Sequence, residues 1–303
     1  MSSLQEQMRT RARELLSKKE VQVVIGWEKG TFWYLSPPAF ITDPDDCERL
    51  VWDEFCTNNL AKYLLDYKLG EEKIALFVKG CDARGVNRLL QDNQFQRERV
   101  YLIGINCSGV KDGRRAAALG EARRAEVPLA EKCLYCTHPG PVIYDELLQE
   151  DRGAGAREAA ATAEGRFAMV EKIEAMNPDE RYAFWTSQYD RCLRCYACRN
   201  ICPACNCREC IFDRSQSGWC GKQMSRSENQ FFAITRAMHV AGRCIECGEC
   251  ERVCPEGIPI MALNKKIIKD LNELFGEYEA GLDLEVRPPL GQYDLNDPDE
   301  FHK

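Results

Sequence analysis

The chain has 303 residues, 18 of them cysteine, and its 41 Lys plus Arg against 48 Asp plus Glu leave a formal net charge of -7. That length accommodates two modest domains, each burying its own core. The acidic balance excludes general nucleic-acid binding, which needs a concentrated basic surface to displace phosphate counterions.

No apolar run approaches the roughly 20 residues that cross a bilayer. The first twenty residues alternate Arg, Lys and Glu with Leu4, Met8, Ala12 and Leu16, the pattern of an amphipathic helix and not of an export segment. The thiols are therefore expected in a reducing cytoplasm, where metal ligation explains their number better than a disulfide framework.

In chain order, Val21 to Trp27 reads as a strand and Thr31 to Leu35 as its hairpin partner across Glu28-Lys29-Gly30. Asp43-Pro44-Asp45-Asp46 caps an expected helix running to about Leu69, with Leu50, Val51, Phe55, Leu60, Leu64 and Leu65 on its apolar face. Cys47 and Cys56, with no partner at ligand spacing, read as small core residues. Lys73 to Val78 is an apolar strand, Gly80-Cys81-Asp82 a turn, Ala83 to Asp92 a helix and Val100 to Ile105 a second strand. Such a crossover makes the two strands parallel and close neighbours. Cys81 and Cys107 then each follow the carboxyl end of a strand, the edge where open parallel sheets bind ligands.

Cys133 and Cys136 follow in Lys132-Cys133-Leu134-Tyr135-Cys136-Thr137-His138-Pro139. Alone the pair is a weak signal, half a zinc site or two buried thiols. With two cysteines delivered to one sheet edge it completes a four-thiolate set, read as ligands of a 4Fe-4S cluster, with zinc or structural thiols as the alternatives. From Gln149 to Met176 the composition shifts to Gly, Ala, Glu and Arg, as expected of a linker. Asn177-Pro178-Asp179-Glu180 starts a further helix.

The most specific signal lies between Cys192 and Cys254. Cys192-x2-Cys195-x2-Cys198-x3-Cys202-Pro203 is repeated as Cys244-x2-Cys247-x2-Cys250-x3-Cys254-Pro255, a thiolate run that holds 4Fe-4S clusters and whose fourth cysteine commonly reaches the neighbouring cluster. The expected sets are Cys192, Cys195, Cys198 and Cys254 on one cluster, and Cys244, Cys247, Cys250 and Cys202 on the other. A pair of zinc sites is the bland alternative. The 41 residues between Cys202 and Cys244 include an expected helix from Gln230 to Ala241, which favours a helical two-cluster arrangement over a small β-type ferredoxin. Cys205, Cys207, Cys210 and Cys220 lie in that insert, as ligands of a further cluster or zinc ion or as packing and hydrogen-bonding groups around the first two. Ile258 to Phe275 reads as an amphipathic helix, and the tail from Gly281 as extended.

Gly80-Cys81-Asp82, Asn106-Cys107-Ser108-Gly109 and Cys133-Leu134-Tyr135-Cys136-Thr137 resemble the carboxyl-terminal part of the beta-subunit family of deazaflavin-reducing hydrogenases and dehydrogenases, over roughly residues 70 to 145. The turn lacks the Pro and Gln usual in that family. The resemblance implies that these four cysteines hold a cluster. No Ser-Gly-Gly stretch of the flavin-binding members is found, so FAD is not expected on this chain. The second half, from about Arg191 to Gly276, resembles helical two-cluster ferredoxin domains such as those of heterodisulfide reductase and succinate dehydrogenase iron-sulfur subunits.

The expected architecture is an α/β domain with a small parallel sheet over 1–148, a linker over 149–178, an α-helical dicluster ferredoxin domain over 179–278 and an extended tail over 279–303. The expected function is a cytoplasmic iron-sulfur subunit with three 4Fe-4S clusters. It would relay electrons between a formate dehydrogenase, hydrogenase or heterodisulfide-reductase-like flavoprotein and a downstream acceptor in anaerobic metabolism. A catalytic flavin-linked reductase with the sheet-edge cluster beside its flavin or substrate is the alternative. With only His138, His239 and His302 in the chain, imidazole catalysis has little material.

Overall fold

The computed structural model describes residues 3–148, 165–214, 218, 220–221 and 223–291. The chain divides into two compact units, Met1–Ala163 and Glu164–Lys303. The Gly-Ala-Glu stretch from 149 to 164, Trp219, the tail beyond 291 and His302 lie outside the described residues.

In the first unit, α1 (Leu4–Ser17) opens on a capping box in which Ser3 and Glu6 each satisfy the other's backbone N–H, and it buries Leu4, Met8, Ala12, Leu15 and Leu16. Strands β1 (Val23–Trp27) and β2 (Pro38–Ile41) pair antiparallel, Trp27 opposite Pro38 and Val24 opposite Ile41. The expected partner, Thr31 to Leu35, is instead the connecting loop. Gly30 N–H donates to the Leu35 carbonyl and Leu35 N–H to the Phe32 carbonyl, so these residues turn back on themselves. The true partner begins at a proline, which an edge strand tolerates because its missing N–H faces no neighbour.

The helix expected from Asp43 to about Leu69 is two short 3-10 turns, Pro44–Arg49 and Leu60–Tyr67, capped by Asp43 and Asn59. Between them the chain extends at Leu50, which bridges to Glu28, and the Val51 N–H donates to the Trp27 carbonyl. Pairing with the end of β1 therefore overrides the apolar periodicity. Cys47 and Cys56 are fully buried in the core of this unit.

Strand β3 (Ile74–Val78), α2 (Gly80–Gln91) and β4 (Val100–Ile105) form the crossover, with β3 and β4 parallel from Ile74 opposite Val100 to Val78 opposite Gly104. Helix α2 begins at Gly80, so Cys81 sits in its first turn and not in a separate turn before it. Helices α3 (Gly113–Leu119) and α4 (Glu131–Leu134) precede β5 (Glu146–Leu148), which adds parallel to β4. The sheet order is β2-β1-β3-β4-β5, antiparallel only at β2. Every residue of β1 and β3 is buried, as expected of strands covered on both faces.

The second unit is helical: α5 (Ala168–Glu174), α6 (Pro178–Asp190), α7 (Ala197–Asn200), α8 (Arg226–His239), α9 (Glu249–Arg252) and α10 (Ile260–Phe275). Asn177 and Glu180 form the capping box of α6, with Pro178 in its first turn. Helix α8 starts four residues before the expected Gln230 because Ser225 caps it. On α8, Asn229 donates to the carbonyls of Tyr189 and Cys192, each at 2.9 Å, fastening the first cysteine run to the helix. Glu174 of α5 accepts from Lys266 and Lys269 of α10.

Candidate iron-sulfur ligand sets

Parallel strands β3 and β4 deliver Cys81 and Cys107 to the same sheet edge, and the loop carrying Cys133 and Cys136 folds over the start of α2. Gly80 allows this approach. A Cβ there would lie 1.9 Å from the His138 carbonyl oxygen and 2.8 Å from that of Gly140, and the Cys107 N–H donates to the Pro139 carbonyl at 3.1 Å. Backbone N–H groups point at two sulfurs: Gly109 donates to Cys107 Sγ and Val110 to Cys133 Sγ, each at 3.4 Å.

Lys79 is buried beside this edge, its Nζ 2.9 Å from Asp82, 3.0 Å from the Asn58 carbonyl and 3.9 Å from the centre of the Trp27 ring. Burial works against its charge, and Asp82, Cys81 and Cys107 outweigh burial and raise its pKa. Burial pushes the Cys81 and Cys107 thiols up, while Lys79 pulls both down. Sequence reading overlooked Lys79, although a lysine between an apolar strand and a glycine-initiated helix is a visible anomaly.

The tandem runs share one backbone course. Positive φ occurs at Arg194 (48°) and Tyr196 (59°) in the first run and at Glu246 (55°) and Gly248 (67°) in the second, the same two places relative to Cys192 and Cys244. L-residues other than glycine rarely adopt this conformation, and three of these four are not glycine. The left-handed residues wrap each Cys-x2-Cys-x2-Cys segment into a cup, and a short helix, α7 or α9, then carries the third cysteine. In both runs the N–H two residues on, Arg194 or Glu246, bonds to the first cysteine.

Cys192, Cys195, Cys198 and Cys254 line one cavity, whose walls include Trp185, Tyr189, Phe232 and Ile260. That places the fourth cysteine of the second run with the first three of the first run. On the other side Cys202, Cys244 and Cys250 are mutual neighbours, each felt electrostatically by the next, and Cys247 lies in the loop between Cys244 and Cys250. Burial pushes Cys244 up to about 12 and Cys250 higher still. Cys202 is held below the usual thiol range by the adjoining Cys205 thiol, by Arg236 and by the N–H groups of Ala204 and Cys205, which together overcome burial.

Three of the four extra thiols of the insert have separate partners. Cys205 adjoins Cys202, Cys210 bonds to Arg199, and Cys207 is exposed. Cys220 donates to Glu228 at 2.8 Å and accepts from Arg194 at 3.1 Å. Arg236, on the inner face of α8, is 3% exposed, and its Nη2 donates to the Cys198 carbonyl at 3.1 Å. Burial opposes its charge, and Cys250, Cys202, Cys205 and Cys198 favour it strongly enough to raise its pKa. Its spacing from Asn229 and Phe232, which are buried on the same helix, was the signal available in the sequence.

Among the described residues no group of three or more His, Cys, Asp or Glu is gathered to hold a single metal ion. Thiolates on one tetrahedral ion stand roughly 4 Å apart, given metal–sulfur bonds of about 2.3 Å. Those on a four-iron cube occupy separate corners and spread further. Soft thiols around an apolar-walled cavity, with backbone N–H groups aimed at sulfur, form a donor set that fits the cube.

The fold is a mostly parallel sheet with cysteines at its carboxyl edge and, in a separate helical unit, tandem cysteine cups. Residues 71–210 match the family model for the C terminus of the coenzyme F420 hydrogenase/dehydrogenase beta subunit. The resemblance read from the three cysteine motifs is borne out, and the match continues past 145 through the first tandem run. The chain is 25% identical to the F420-dependent formate dehydrogenase subunit beta of Methanocaldococcus jannaschii, over 91% of this chain and 91% of that protein. It is also 25% identical to the F420-dependent formate dehydrogenase 1 subunit beta of Methanococcus maripaludis, over 91% of this chain and 90% of that protein. Among the described residues no helix is long and apolar enough to cross a membrane.

Proposed function

We propose that the chain is the iron-sulfur electron-transfer subunit of an oxidoreductase complex of the formate dehydrogenase type. The observation that carries this reading is the pair of cysteine runs on one repeated backbone course, with Cys254 of the second closing the cavity lined by Cys192, Cys195 and Cys198 of the first. Similarity over 91% of this chain to two formate dehydrogenase beta subunits supports the choice of complex.

In this reading Cys192, Cys195, Cys198 and Cys254 hold one 4Fe-4S cube, Cys244, Cys247, Cys250 and Cys202 a second, and Cys81, Cys107, Cys133 and Cys136 a third. A cube, once bound, accepts and releases one electron at a time at a potential set by burial, net charge and hydrogen bonds to sulfur. The chain's own residues supply those settings. The cavity walls set apolar side chains around the thiols, the N–H groups of Arg194, Glu246, Gly109 and Val110 stabilise thiolate charge, and Lys79 and Arg236 place a cation beside the thiols. The electron would pass between a formate-oxidising subunit and a deazaflavin or flavin acceptor in the cytoplasm, without FAD on this chain.

The test is anaerobic purification of the full chain with iron and sulfide counted. About twelve of each per chain are expected, four per set, together with EPR signals on dithionite reduction. About eight would remove the sheet-edge centre, and a zinc-loaded chain without sulfide would overturn the reading. The flavin-linked reductase alternative draws on the carboxyl-edge position of Cys81 and Cys107. It requires flavin bound at about one per chain, or turnover by the chain alone.

A further inference from the structure

Buried cations in this protein are usually paired: Lys79 with Asp82, Arg88 with Asp92 and Arg194 with Glu228. Arg236 is as buried as these and differs. Among the described residues it has no carboxylate partner, and the bond from its guanidinium goes to a neutral carbonyl, that of Cys198. An uncompensated guanidinium in a low-dielectric interior is costly to hold, so its counter-charge must be sought among the groups around it. Those groups are thiols, and they belong to both tandem sets. Cys198 carries the third ligand position of the first set, while Cys202 and Cys250 belong to the second. Arg236 also borders the cavity of the first set.

Four thiolates around a four-iron cube leave a net negative centre in either oxidation state. Two such centres repel, and an electron placed on one makes the other harder to reduce. A single guanidinium that borders the cavity of the first set and whose charge is felt by Cys202 and Cys250 of the second acts on both at once.

We propose that Arg236 is the shared counter-cation of the two tandem-run centres, a positioning residue that raises both reduction potentials together and lessens the penalty for reducing the second after the first. The inference rests on the reading that both runs hold four-iron cubes. It assigns to α8 a task beyond packing, because that helix carries a charge felt by both centres.

The test compares the full chain with Arg236→Gln and Arg236→Lys, each purified anaerobically with iron counted, followed by redox titrations read by EPR. With iron equal to wild type, the Gln variant is expected to lower the reduced-to-oxidised ratio of both tandem-run centres by about tenfold or more at a fixed solution potential. That is about 59 mV for a one-electron couple. The Lys variant, keeping the charge, is expected to recover most of the shift. Unchanged potentials, a shift confined to one centre, or equal shifts in Gln and Lys would each overturn the proposal. If Gln loses tandem-run iron while Lys keeps it, the charge itself holds the anionic centres in place, which supports the proposal. Loss in both variants assigns Arg236 to packing and overturns it. A wild-type chain with no iron on the runs sinks the functional reading itself, and the iron count reveals that before any potential is measured.

Discussion

Gly80 is where one hydrogen atom in place of a side chain decides whether the sheet-edge cysteines can meet. The His138 carbonyl occupies the space a Cβ would need, so Gly80→Ala must push the Thr137 to Gly140 loop off the start of α2 and carry Cys136 with it. Overpacking of this kind costs about 1–3 kcal/mol. The expected outcome is a loss of about four irons per chain with the EPR signals of the tandem runs retained. Unchanged iron content would show that the loop and α2 need not touch for the set to form. Neighbouring Lys79 has the opposite chemistry: it is a buried charge kept by Asp82 and by the thiols. Gly80 opens the motif that carried the family resemblance and Lys79 directly precedes it, yet what presses against either residue is set by residues distant in the chain.

The informative element is the repeated cup of the cysteine runs. Its first copy holds Arg194 and Tyr196 in the left-handed region and its second holds Glu246 and Gly248, so the same fold is built at different local cost. Gly248→Ala should destabilise the second cup by about 1–2 kcal/mol, the penalty of putting a Cβ in left-handed backbone. The check is the denaturation midpoint of the anaerobic protein, expected to fall with no change at the sheet-edge centre. No loss of stability would mean that the cup relaxes without its turn.

Element reading succeeded where periodicity and pairing agreed: α1, β1, the β3 to β4 crossover, α6 and α10 all lie close to their expected places. It failed at Thr31 to Leu35 and across Leu50 to Asn59. In both cases a β-branched or apolar pattern was overruled by hydrogen bonds to β1 from residues distant in the chain. The start of α8 was misplaced because its cap, Ser225, lies in a polar stretch without apolar rhythm.

For the whole molecule, the arrangement of thiols predicts that the tandem runs are not independent modules. Cys254 lines the cavity of the first run, and Cys202 neighbours Cys244 and Cys250 of the second. Cys254→Ser should therefore alter the EPR spectrum of the centre held by Cys192, Cys195 and Cys198, and Cys202→Ser that of the centre held by Cys244, Cys247 and Cys250. If each substitution affects only the centre of its own run, the crossing is wrong.

The proposed donors were readable from sequence alone, since cysteine spacing is a local property and the repeated Cys-x2-Cys-x2-Cys-x3-Cys-Pro run points to cluster ligation. So was the parallel crossover that sends Cys81 and Cys107 to one edge, because a strand-helix-strand unit has essentially one handedness. What only the tertiary structure decided is which charges stand beside those thiols. Lys79 is buried beside Cys107 as well as the adjacent Cys81, and Arg236 beside cysteines that lie outside its own helix. Burial and electrostatic contact depend on distances through space, which the order of residues along the chain does not encode locally.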